Sequence, residues 1–128
     1  MRGPNDLNDA LQAMTKASID ALYVVASRQT VACLPHIVNF AAKNELPLAG
    51  GWGAWAQAGG LLSHGPNVGE VVRNAVTYVD KILKGAKAGD LPVQQPTRFE
   101  LLVNLRSAKA LGLSISESFL LRADKVIE

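Results

Sequence analysis

From Asp6 to Lys16 the apolar residues Leu7, Ala10, Leu11 and Met14, with Ala17 just beyond, recur at the spacing of one helix face. Ala21 to Ala26 is a short unbroken apolar run, as expected of a strand covered on both faces. A second helix is expected over Thr30 to Lys43, burying Leu34, Ile37, Val38 and Ala41. Pro35 is tolerated there only near the first turn, which allows a start later than Thr30. Leu46 to Gly50 reads as a strand led in by Pro47, and a short helical turn over Trp52 to Gln57 stops at Gly59-Gly60.

Leu61-Leu62-Ser63 is the next strand, and the helix behind it is the best-specified element of the chain. Asn67 can cap it, Glu70 sits three residues on, and Val72, Ala75, Val76, Val79, Ile82 and Leu83 line one face. Lys81 and Lys84 suit the negative end of the helix dipole, and Gly85 can supply a left-handed stop. Beyond a polar connection with Pro92 and Pro96, Phe99 to Leu105 reads as a strand and Ser107 to Leu111 as a short helix ended by Gly112. Ser116 can cap a last turn over Glu117 to Leu121. Alternating helices and strands predict an α/β fold with a largely parallel sheet. The tail after Gly85 departs from that rhythm and reads as crossings that pack on something outside themselves.

Composition narrows the function. A chain of 128 residues with 48% hydrophobic and 19% charged residues can bury a core and is not disordered. A net charge of +2 with no basic stripe, and 5% aromatics, argue against nucleic acid as a partner. Cys33 is the single cysteine, so no internal disulfide forms. The start, from Met1 to Asp6, has no apolar core behind its charge and is not a secretory signal.

No catalytic group, metal site or cofactor is expected. Gly51-Trp52-Gly53-Ala54-Trp55-Ala56 fits a loose dinucleotide pattern, but Gly59-Gly60 cuts the following helix too short for a crossover. Cys33 and His36 read as a packed thiol and a boundary histidine, with nothing near to orient the imidazole. Trp52 and Trp55 lie past a strand end, where α/β ligand crevices open; they are either core residues or ligand-facing rings. Arg28, after Ser27 at another strand end, could take a carboxylate two-pronged or stand as a solvated charge. His64 and Asn67 follow a third strand end, with Asn67 better placed to cap than to hold a ligand.

Gly59-Gly60-Leu61-Leu62-Ser63-His64-Gly65-Pro66-Asn67 is similar to the AGGLMSYGPN segment of the ABC-transporter substrate-binding protein family that includes tryptophan- and tyrosine-binding lipoproteins. Thr77 to Lys87 resembles that family's next helix. Asp90 to Leu101, Asn104-Leu105, Ala108 to Leu113 and Leu121 to Glu128 continue the likeness.

What the resemblance implies is a type I periplasmic-binding fold, two Rossmann-like lobes with a solute between them, of which this chain holds the carboxy-terminal portion. Residues 5–60 would belong to the second lobe, 61–85 would return to the first, and 86–128 would cross back and form the tail. The intact parent would be the extracytoplasmic solute-binding component of an importer, partnered by an ABC permease. Site residues implied or suggested are Ser27, Arg28, Gly51, Trp52, Trp55, Ser63, His64 and Asn67. Ser27 stands where the family often has an aspartate suited to a ligand amine, and His64 replaces the tyrosine of the family segment. Losing that acid beside Arg28 favours a planar or aromatic carboxylate, held by Arg28 and stacked on Trp52, over an amino acid. Uncovered strand edges and apolar faces would drive the piece to self-associate. The rivals are a ligand-sensing regulator domain on the same fold and a small nucleotide-cofactor-binding α/β protein.

Overall fold

The computed structural model describes residues 4–128, with seven α-helices and five strands in that span. In chain order these are α1 (Pro4–Lys16), β1 (Leu22–Val24), α2 (Arg28–Ala32), α3 (Leu34–Lys43), β2 (Leu48–Gly50) and α4 (Gly53–Gln57). Then follow β3 (Leu62–Pro66), α5 (Val68–Leu83), β4 (Phe99–Asn104), α6 (Leu105–Ala110), α7 (Glu117–Leu120) and β5 (Lys125–Ile127). The strands form one sheet in the order β1-β2-β3-β4-β5. All neighbours pair in parallel except β3 and β4, which are antiparallel.

The register assigns the two faces. Leu22 lies beside Leu48, and Val24, Gly50, Ser63 and Leu102 follow one another across four strands. This face is buried, and Leu7 of α1 and Ile37 and Ala41 of α3 complete its core with Trp55. The opposite face carries Tyr23, Ala49, Leu62 and Val103 in register. Burial there falls steadily toward β1: Val103 is enclosed, Leu62 and Ala49 are half-buried, and Tyr23 is 64% exposed. The expectation that the first strand is covered on both faces therefore fails, because Tyr23, and Val25 just beyond the strand, stay largely exposed.

One further expectation changes. The single helix over Thr30 to Lys43 is two, joined at Cys33, because Pro35 near the start of α3 begins a new helix rather than continuing the old one. Within residues 61–85, β3 pairs with β2, Ala49 beside Leu62 and Gly50 beside Ser63, and the Leu61 amide donates to the Leu48 carbonyl at 2.7 Å. The segment that stands off the sheet is α5 with the stretch up to Arg98. No residue of α5 is buried.

Candidate functional site

Because β1, β2 and β3 are parallel, the turns that follow them open on one edge of the sheet. After β1, Ser27 caps α2: its hydroxyl accepts from the Thr30 amide at 3.1 Å, and its own amide donates to the Thr30 hydroxyl at 2.8 Å. That capping box sets the first turn of α2 and leaves Arg28, its first residue, exposed at the rim. Ser27 is thus engaged in local structure, and Arg28 is the charge this loop offers.

After β2, Gly51 and Trp52 lead into α4. Trp52 is its N-cap, in extended backbone, half-buried and packed against the edge of the core. Trp55 is fully enclosed, with its indole lying on Gly50, where even a methyl group would overlap the ring. The sequence left both tryptophans open as ligand-facing rings; for Trp55 the structure decides for the core. Spacing of three suggests a shared helix face, but Trp52 lies outside the helix as its N-cap and stays half-buried at the edge of the core that encloses Trp55. The Tyr23 side chain reaches Gly51, its hydroxyl 3.7 Å from where a Cβ would sit.

β3 outruns β2. Gly50 pairs with Ser63, so His64, Gly65 and Pro66 project past the end of β2 and pair only with the start of β4. Ser63 is fully buried on the Trp55 face, away from the rim, so it meets packed protein rather than solute. Neither its hydroxyl nor the Trp55 indole N–H has a hydrogen-bond partner among the described residues. His64 is exposed, and its ring stacks on Phe99, centroids 6.0 Å apart and planes at 25°. Gly65 has no room for a side chain, since a Cβ would overlap the Gly51 carbonyl, and that overlap locks the second and third turns together.

Asn67 is the junction of the edge. Its side-chain oxygen accepts from the Glu70 amide at 2.8 Å, which caps α5. Its side-chain amide donates to the Glu100 carboxylate, and its backbone amide donates to the Arg98 carbonyl at 3.0 Å. One residue therefore joins the chain leaving the sheet to the chain returning. Each of its polar groups has a partner, since its carbonyl accepts from the Glu70 and Val71 amides.

The rim thus gathers Arg28, Gly51, Trp52 and His64, while Trp55 and Ser63 lie inside and Ser27 and Asn67 serve as caps. Tyr23, Phe99 and Glu100 join the rim without having been singled out from the sequence. Phe99 gave no signal because its stacking partner His64 lies on the neighbouring antiparallel strand, diagonal in register and 35 positions away. Tyr23 carries the one polar group in an apolar strand, and that mark was legible. A separate groove of about 420 Å³ lies between α5 and the segment 88–96, where the Tyr78 hydroxyl donates to the Pro92 carbonyl. It is lined by Val71, Ala75, Tyr78, Ile82, Leu91 and Pro92 among others, and none of the candidate rim residues borders it.

Comparison with known proteins gives relatives of the chain as a whole. The family model described as ABC transporter substrate binding protein aligns with residues 2–127. A curated tyrosine-binding protein of Clostridioides difficile (strain R20291) is 25% identical over 109 residues, covering 85% of this chain and 31% of its own length. Among solved structures, an ABC domain in complex with L-Trp from Streptococcus pneumonia superposes with a TM-score of 0.91 at 26% identity. That alignment takes in 99% of this chain and 43% of the other. A conserved domain protein from Vibrio cholerae O1 biovar eltor gives 0.87 at 25% identity, over 95% of this chain and 41% of that one. The chain spans about a third of the curated relative and about two fifths of the solved ones. With a match along nearly its whole length, the chain belongs to the ABC transporter substrate-binding protein family.

Proposed function

We propose that this chain supplies one wall of a solute-binding crevice that takes a small aromatic molecule bearing a carboxylate. The observation that carries the reading is the convergence of three parallel strand ends, which sets Arg28, Trp52 and the His64–Phe99 stack along a single rim. A guanidinium matches a carboxylate in a forked geometry, and the rings offer flat faces to an aromatic solute. Relatives described as binding tyrosine and L-Trp support an aromatic amino acid as the class. Ser27, engaged in its cap and uncharged, gives a ligand amine no counter-ion, so an aromatic acid lacking the amine fits equally well.

In this reading the function is capture and not catalysis, the second wall comes from a first lobe, and the loaded protein delivers its solute outside the cytoplasm to an ABC permease. Exposed apolar surface makes the isolated chain self-associate. The test is nuclear magnetic resonance titration of the chain with tryptophan, tyrosine and indole-3-acetate. The Trp52 indole and Arg28 guanidinium signals are expected to shift while the enclosed Trp55 indole stays still. Shifts confined to the α5 groove, or none up to saturating solute, would refute the crevice.

A further inference from the structure

Glu100 is the rim residue whose charge the described chain does not answer. It is half-buried, and it forms no ion pair among the described residues. Its carboxylate has one partner there, the side-chain amide of Asn67. An ionised carboxylate offers about four acceptor positions, so one amide leaves most of them open. Asn67 also sets the direction. It lies two residues beyond Gly65, the register partner of Glu100, so the carboxylate that meets it leans out past the strand ends and not back along the sheet. Arg98 and Lys125 border the same recess, about 360 Å³, with Gln57, Leu102 and Asp124. Both cations are exposed to water, and neither pairs with the Glu100 carboxylate.

The turn that carries Trp52 lies against the same face of the sheet as Glu100. The Gly51 carbonyl sits over Gly65, and Leu102 Cδ2 comes within 3.2 Å of where a Cβ on Gly53 would stand. Gly65 is paired with Glu100, and Leu102 is the next residue but one, on the same face of β4. One strand spacing, about 5 Å, therefore separates the backbone of the turn from the root of Glu100. Arg28 stands on the other side of that turn, just past β1 and about 14 Å from β4 by three such spacings, a gap that its long side chain and a ligand together span. We propose that Glu100 is the counter-ion of a ligand amine, so that the crevice takes an aromatic amino acid in preference to the same acid without its amine. The inference rests on the crevice reading above and decides what Ser27 left open. The ligand's carboxylate turns to Arg28, its ring to Trp52 and its ammonium to the open side of Glu100, where an ionic hydrogen bond forms in a half-buried setting.

Titrating the full chain with L-tryptophan and with indole-3-propionate, the same molecule without its amine, separates this contact from the rest of the crevice. The Trp52 indole resonance reports both affinities. Wild type is expected to bind tryptophan about tenfold or more tighter, the worth of a hydrogen bond to a charged group. Glu100→Gln removes the charge and keeps an oxygen for the Asn67 amide, so a role confined to holding Asn67 survives it. This variant is expected to bring the two affinities together by weakening tryptophan alone, whereas Glu100→Asp, charged but shorter, is expected to keep part of the preference. A wild-type chain that binds the two ligands equally would overturn the amine contact and leave the crevice standing, and that comparison needs no variant to fold. A Glu100→Gln chain that keeps the preference, or that weakens both ligands alike, would also overturn it. Binding of neither ligand would remove the crevice and the contact together.

Discussion

Replacing Asn67 is the sharpest probe of how α5 is anchored. In Asn67→Ala the helix loses its cap, worth about 1 kcal/mol, and the Glu100 carboxylate loses a donor. A hydrogen bond to a charged group contributes about 1.5–3 kcal/mol when buried, and partial exposure here reduces that to about 1 kcal/mol. The total loss is then about 2 kcal/mol, against about 1 kcal/mol for Asn67→Ser, which retains a capping oxygen but cannot reach Glu100. Asn67→Asp keeps the cap and sets two carboxylates face to face, so it falls below Asn67→Ser. Urea unfolding followed by circular dichroism at one fixed protein concentration measures the differences. Amide exchange locates them, with the Glu70 amide and the first turn of α5 losing protection before β1 or β2. With no residue of α5 buried, the helix has little tertiary packing to mask the lost cap. An Asn67→Ala chain within about 0.5 kcal/mol of wild type, well under the usual worth of a cap, would refute this account of the junction.

Three other outcomes follow from packing. Gly65→Ala forces a methyl group into the Gly51 carbonyl and is expected to destabilise by about 3 kcal/mol or more, read as a lower urea midpoint. Ser63→Ala removes a buried hydroxyl without a partner and is expected to be neutral or to stabilise by up to about 1 kcal/mol; a clear loss would show that the hydroxyl is paired. Asp80→Ala breaks the exposed Lys84–Asp80 ion pair, 2.9 Å, and a thermal melt is expected to move by the equivalent of about 0.5 kcal/mol at most.

Local signals made α5 readable in advance. Asn67 does cap it, Glu70 is the third helical residue, and Gly85 does adopt the left-handed conformation, φ +100°. Gly112 likewise closes α6, with φ +66°. Where information came from tertiary neighbours, the sequence was silent. The run Ala21 to Ala26 looks like a strand buried on both sides whether or not a helix covers Tyr23 and Val25. β5 is three residues long and begins with Lys125, so it carries no alternation to detect and exists because β4 offers it an edge. At the rim, Arg28, Trp52 and His64 could be nominated because strand ends are visible. The enclosure of Trp55 depended on Gly50 lying beneath it and on Trp52 sitting one step outside α4.

The wedge of the Gly51 carbonyl into the space above Gly65 has a mechanical consequence. Two of the three turns along the rim cannot slide past one another, so this edge behaves as an anvil and not as a spring. If the proposed crevice takes a guest here, any movement that grips it would have to come from whatever swings about Asn67 and Arg98, the paired threads by which α5 is tethered to the slab. On that proposal, variants meant to alter closure belong at those threads, and variants meant to alter the grip belong on the anvil.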